Sequence, residues 1–131
     1  METILLIEED PANLIALSLI LRCFGYTVLE AVSRGEAWRV CCEHPGPVHL
    51  VMMNAALNDE TFADFIARLQ LVCPRIGALC VTHASPAEFS DNQRLSYERT
   101  FLQKPFPAST LADTIRTLLD RLERRAASLV P

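Results

Sequence analysis

The sequence lacks any apolar run near the roughly 18 residues that a membrane-spanning helix needs. Its first residues, Met1-Glu2-Thr3, pass directly into a strand-like run and lack the basic region and cleavage site of a signal peptide. The net charge is −4, and the one basic group, Arg121, Arg124 and Arg125, suits the end of a helix, where cations interact favourably with the helix dipole. We therefore expect a soluble cytoplasmic protein that binds neither a membrane nor nucleic acid.

The cysteines show no C-x-x-C spacing, and their odd number argues against a disulfide framework. They fall in apolar segments, so we expect reduced thiols that pack as small hydrophobic side chains. His44, His49 and His83 are scattered along the chain and predict no metal site. The cysteines are Cys23, Cys41, Cys42, Cys73 and Cys80.

Short apolar runs alternate with segments of helical periodicity along the whole chain. Buried strands joined by crossover helices predict a parallel sheet with helices on both faces. For 131 residues we expect one α/β domain, a flavodoxin-like three-layer sandwich of five βα units with strand order 2-1-3-4-5. This domain would comprise residues 1–125, with residues 126–131 as a tail or the start of a linker. Strands are predicted at residues 3–7, 26–29, 49–54, 76–81 and 100–102, and helices after residues 10 and 33 and at residues 61–72, 85–95 and 108–125.

Local signals mark where the first two helices begin and end. Asp10 can cap the first helix, with Pro11 at the position where a missing N–H costs nothing. Gly25 supplies the stop at the end of that helix. Ser33 and Glu36 form a capping box for the second helix.

Polar side chains follow four of the predicted strands. The carboxyl ends of strands one, three, four and five meet at one edge of such a sheet, where ligands bind in open α/β folds. We therefore expect these side chains around one crevice, with an amide at the end of the central third strand. The residues are Glu8, Glu9, Asn54, Thr82 and Lys104.

The chain resembles a response-regulator receiver domain (CheY-like) of two-component phosphorelay signalling. The matching segments are residues 4–11, 49–54, 79–82 and 101–106. The resemblance implies an acidic pair that helps to hold Mg²⁺, an acceptor for a phosphoryl group from a histidine kinase, a switch hydroxyl with a switch aromatic, and a cation that contacts the phosphoryl oxygens. It also implies that the Lys104-Pro105 bond is often cis. By position, these roles fall on Glu8 and Glu9, Asn54, Thr82 and Phe101, and Lys104 respectively.

The chain departs from the family pattern at the acceptor position. Asn54 has no anionic oxygen, so it is a very poor nucleophile toward phosphohistidine and offers Mg²⁺ only a neutral ligand. Glu8 and Glu9 stand where the family has at least one Asp, and the longer side chains displace the carboxylates from the near-ideal geometry that Mg²⁺ demands. These changes predict a weak or absent Mg²⁺ site, no resident cofactor, and a pseudo-receiver that signals without Asp phosphorylation.

Three further departures support a natural origin for Asn54. Asn58 and Phe62 occupy positions where the family commonly has Pro and Gly, and His83 follows the switch Thr where a small residue would leave the acceptor open. An engineered acceptor mutant is the alternative, but an engineer would have no reason to make these other changes.

Two other functions remain open at this stage. A working receiver could take phosphate at a neighbouring acid such as Asp59 or Asp10. A small flavodoxin-like nucleotide-binding enzyme is disfavoured because the acidic turn after the first strand contains no glycine, whereas phosphate cradles use glycines and backbone N–H groups. We expect no catalytic residue and no enzyme.

The receiver resemblance also implies where a protein partner binds. Output in the family passes mostly through the face of the fourth helix, the fifth strand and the last helix. We expect a histidine kinase or an effector there, or a second copy of the chain. Besides the last helix, this face would include Glu88, Arg94, Tyr97 and Leu102.

Overall fold

The computed structural model describes residues 1–54, 61–83 and 99–128. In this part of the chain, five parallel strands form one sheet in the order β2-β1-β3-β4-β5. The predicted fold class and strand order are therefore confirmed. The strands are β1 (Thr3–Ile7), β2 (Thr27–Ala31), β3 (Leu50–Asn54), β4 (Gly77–Thr82) and β5 (Arg99–Gln103). The helices are α1 (Pro11–Cys23), α2 (Arg34–Glu43), α3 (Phe62–Val72) and a C-terminal helix (Ala108–Ser128).

The core consists of two apolar layers, one on each face of the sheet. Successive side chains of a strand point to opposite faces, so in β1 Leu5 and Ile7 join the layer under α2 and α3, whereas Ile4 and Leu6 join the layer under α1 and the C-terminal helix. Every residue of β1 and β4 is buried. Strands covered on both sides read as continuous apolar runs, which is why the sequence marked them clearly.

The predicted helix ends are present in the structure. The Asp10 side chain caps α1 by accepting a hydrogen bond from the Ala12 N–H at 3.0 Å, and Pro11 is the first helical residue. The Ser33 hydroxyl caps α2 by accepting from the Glu36 N–H at 3.1 Å. Gly25 has φ of 97°, a left-handed conformation that favours glycine. These contacts fix the chain where it leaves and re-enters the sheet.

Several predicted boundaries need correction. Strand β3 begins one residue later than predicted, β4 begins and ends one residue later, and β5 is one residue longer at each end. Strand β2 begins and ends later than residues 26–29, because Thr27–Ala31 pairs with all five residues of β1. The C-terminal helix continues to Ser128, three residues beyond the predicted end at Arg125. The predicted helix at residues 85–95 lies outside the described residues.

The expectation that all cysteines pack as small hydrophobic side chains is wrong for two of them. All five thiols are free, and Cys41 and Cys80 are buried in the core as expected. Cys23 and Cys42, however, are exposed, because each occupies the solvent-facing side of its helix. Among the described helices, none combines the length and apolar character that a membrane span requires.

Candidate functional site

A cleft of about 460 Å³ opens at the carboxyl ends of the central strands. It brings together three of the predicted site residues, Glu8 after β1, Asn54 at the end of β3 and Lys104 after β5. They meet because parallel strands present their carboxyl ends at the same edge of the sheet. The exposed His83 also lines this cleft, at the position from which we expect it to cover residue 54.

Glu8 is the buried acid of the cleft, with only 7% of its surface exposed. Its backbone N–H donates to the Ala31 carbonyl of β2 at 3.0 Å, which anchors the turn. Its Oε1 accepts the backbone N–H of Asp10 at 3.1 Å, and its Oε2 accepts the Nδ2 amide of Asn54 at 3.3 Å. Both carboxylate oxygens are therefore stabilised by protein N–H donors, as a buried charge requires.

The hydrogen bond from Asn54 to Glu8 depends on the amide. A carboxylate at residue 54 would have no hydrogen to donate, and it would face the Glu8 carboxylate with a like charge. Asn54 stabilises the buried acid, where an aspartate would oppose it.

The charges of the cleft balance with this amide in place. Among the described residues that line it, Glu8 is the one acid and Lys104 the one permanently charged base. A second carboxylate at residue 54 would leave the lining one negative charge in excess. The neutral side chain therefore removes the need for an added cation to compensate the cleft.

Glu9 lies outside this arrangement. It is exposed and does not line the cleft, so the structure brings only one member of the predicted acidic pair to Asn54. In the part of the chain that is described, no group of three or more His, Cys, Asp or Glu side chains is placed to hold a metal ion. Mg²⁺ prefers several oxygen ligands in near-ideal octahedral geometry. Within the described residues, the cleft offers one carboxylate whose two oxygens already accept N–H bonds, and this donor set alone does not fit that requirement.

The remaining predicted residues lie at the ends of β4 and β5. Thr82 is 5% exposed, and its carbonyl accepts the Lys104 N–H at 2.7 Å, which ties the two strand ends together. The Lys104-Pro105 peptide bond is cis, as the resemblance implied. Phe101 is half-buried and packs against the core layer under α2 and α3. The switch roles of Thr82 and Phe101 stay predictions.

Leu102 is misplaced in the predicted partner face. It is only 8% exposed and belongs to the core layer under α1 and the C-terminal helix. The alternation of β5 turns its side chain inward, so a partner could not reach it. Glu88, Arg94 and Tyr97 of that face lie outside the described residues.

Comparison with known proteins agrees with this architecture. No family model matches the chain. The chain is 29% identical over 119 residues to the sensor kinase CckA of Brucella abortus (strain 2308), a match that covers 91% of this chain and 13% of the kinase. The chain therefore spans a small part of the length of that relative.

Solved receiver domains share the fold over nearly the whole chain. A CheY-like response regulator receiver domain protein from Methanospirillum hungatei JF-1 superposes with a TM-score of 0.75 at 22% identity, covering 95% of this chain and 98% of that one. The receiver domain of the hybrid histidine kinase CckA superposes with a TM-score of 0.68 at 22% identity, covering 89% of this chain and 98% of that one. The fold that the resemblance predicted is confirmed.

Proposed function

We propose that this chain, which has the fold of a response-regulator receiver domain, is a pseudo-receiver of a two-component signalling system. It would transmit its signal through contact with another protein and would not be phosphorylated at residue 54. The observation that carries the proposal is the hydrogen bond from the Asn54 amide to the buried Glu8 carboxylate.

The chemistry of phosphoryl transfer supports the proposal. A phosphoacceptor attacks phosphorus with an anionic or activated oxygen. The Asn54 amide is neutral, and its Nδ2 hydrogen is already directed at Glu8. The donor set in the cleft also does not suit the Mg²⁺ that would neutralise the charge developing during transfer.

The same contacts support a cleft whose side chains keep one arrangement without phosphorylation. Phosphorylation commonly acts by adding a charge that reorders nearby groups and biases a two-state surface. Here the Asn54 amide donates a hydrogen bond to the Glu8 carboxylate, and the Lys104 N–H donates to the Thr82 carbonyl, which joins the adjacent strand ends. The domain would therefore hold one arrangement and bind its partner constitutively.

The partner would be a histidine kinase or an effector that docks on the face formed by β5 and the C-terminal helix, and self-association there is a second form of the same proposal. Similarity to part of a sensor kinase supports a place in two-component signalling. Affinity for such a partner should be the same with and without a small phosphodonor. A large change in affinity on adding the phosphodonor would contradict constitutive binding.

Incubation with acetyl phosphate and Mg²⁺, followed by intact-mass analysis, tests the proposal. The unmodified chain should gain no phosphoryl adduct, whereas a catalytically competent receiver run in parallel should gain one. An adduct would overturn the proposal, and the variants Asp10→Asn and Asp59→Asn would then show whether a neighbouring acid had taken the phosphate. Asp10 is the described candidate of the two, and its exposed carboxylate already caps α1.

A further inference from the structure

Two of the five free thiols lie at the ends of neighbouring helices, at the opposite edge of the sheet from the cleft. Cys41 is in the last turn of α2 and is 5% exposed, within the core layer. Cys73 is the residue at which α3 ends, and it packs against the same layer while remaining partly accessible. The two helices thus bring both cysteines to the same core layer.

The packing of α2 against α3 fixes this arrangement. The Arg34 guanidinium of α2 stacks over Phe65 of α3, and the Arg68 guanidinium of α3 stacks over Trp38 of α2, each at 5.4 Å from the ring centre. Such cation–π contacts add to the apolar packing between the helices. The relative position of Cys41 and Cys73 therefore follows from two rigid elements.

The neighbouring thiol acts directly on Cys41. Burial raises the pKa of Cys41 to about 12, and the adjacent Cys73 thiol adds to this rise through its charge and a side-chain hydrogen bond. Cys41 is consequently a protonated thiol, and Cys73 packs against the same core layer.

We propose that Cys41 and Cys73 form a redox-active pair that closes to a reversible disulfide joining the end of α2 to the end of α3. This inference is independent of the proposed signalling function, since both residues lie away from Glu8 and Asn54.

The structure indicates the order of the reaction. Cys73 lines a cleft of about 640 Å³, with Val72, Pro74 and His49 among its walls, so a small oxidant can reach it. The oxidant is a low-molecular-weight disulfide such as oxidised glutathione. The Cys73 thiolate attacks one of its sulfur atoms, the oxidant's S–S bond breaks, and the first small thiolate leaves and takes up a proton.

Cys41 then completes the bond. Its sulfur attacks the Cys73 sulfur of the mixed disulfide, the bond between Cys73 and the small thiol breaks, and the Cys41 proton passes to the small thiolate, which leaves as the second small thiol. Two protein thiols are oxidised by two electrons in total, and one small disulfide is reduced to two thiols. The buried position of Cys41 suits the second step, which needs no diffusing reactant.

The test is to treat the reduced chain with oxidised glutathione, then denature and alkylate it. Closure of the pair leaves three of the five thiols to react, and peptide mapping should recover a fragment that joins Cys41 to Cys73. The bridge closes a loop of roughly 30 residues, which should raise the melting temperature by about 10 °C, reversibly on reduction.

Matched variants separate this bond from other thiol chemistry. Cys73→Ser should abolish both the bridged fragment and the rise in melting temperature, and because Cys73 is partly accessible at a helix end, this variant should fold. Cys42→Ser, which removes the exposed neighbour of Cys41, should retain both. Five reactive thiols after oxidation, a mixed disulfide that persists on Cys73, or a bridge that uses Cys42 would each overturn the proposal.

Discussion

Restoring a carboxylate at residue 54 should destabilise the domain when no divalent cation is present. The Asn54→Asp substitution removes a hydrogen bond of 3.3 Å to a carboxylate that is 7% exposed, and it places a like charge in the same position. A hydrogen bond to a charged group contributes about 1.5–3 kcal/mol. Repulsion between two charges about 4 Å apart costs about 1 kcal/mol in water and about 4 kcal/mol near a protein surface.

Two features of the cleft lower the net cost. Asn54 is exposed, so solvent screens the new charge, and the Lys104 ammonium on the same cleft offsets part of it. We therefore expect a loss of about 2 kcal/mol in the free energy of unfolding. With an unfolding entropy of about 2.1 cal/mol/K per residue, this corresponds to a melting temperature lower by about 7 °C.

The assay is thermal unfolding of both chains in EDTA at pH 7, followed by circular dichroism. Asn54→Ala is the matched control, because it removes the hydrogen bond without adding a charge, and it should lose about 1.5 kcal/mol, less than the Asp variant. The difference between the Asp and Ala variants should shrink near pH 4, where carboxyl groups take up protons. An Asn54→Asp chain that melts at the same temperature as the unmodified chain, or higher, would refute the repulsion argument.

Two other predictions concern the opposite end of the sheet. The Arg116 guanidinium donates a hydrogen bond of 2.6 Å to the Glu2 carboxylate and holds the pKa of Glu2 below its usual range. This ion pair therefore stabilises the folded chain at pH values above the pKa that Glu2 has in the unfolded chain. The stabilisation is lost as the pH falls through the pKa of Glu2 in the folded chain. Because both side chains are partly exposed, Glu2→Gln should cost about 0.5–1 kcal/mol at pH 7 and nothing near pH 2 in denaturant titrations. Glu43→Gln, in a more exposed pair, should cost less at pH 7; equal losses for the two variants at pH 7 would contradict this. A Cβ at Gly77 would collide with the Leu122 side chain, so Gly77→Ala should lower the free energy of unfolding by about 1–2 kcal/mol. The loss should be smaller when Gly77→Ala is introduced into a Leu122→Ala background. Strictly additive losses for the two substitutions would show that the collision is not the cause.

The sequence predicted the sheet well because its central strands are buried on both faces. β1 and β4 consist of continuous apolar runs, and their order follows from the handedness and spacing of crossover connections. The ends were predicted less well. β2 has only two buried residues, Val28 and Ala31, so its apolar run did not show that pairing extends to the last residue of β1.

The candidate site was likewise predicted in part from the sequence. Strand ends identified Glu8, Asn54 and Lys104 as neighbours, because their positions depend on the topology alone. The sequence could not distinguish Glu8 from Glu9, since only the direction of the turn decides which carboxylate enters the cleft. Similarly, the inward orientation of Leu102 and the packing of Cys73 against the core layer of Cys41 depend on contacts between elements distant in the sequence.

The central claim is that the amide at residue 54 prevents phosphoryl transfer to this chain, which has a receiver fold. Its most direct test is the intact mass of the unmodified chain after incubation with a phosphorylated histidine kinase domain and Mg²⁺. We predict a single species at the mass of the unmodified polypeptide. A stoichiometric phosphoryl adduct on this chain would contradict the account.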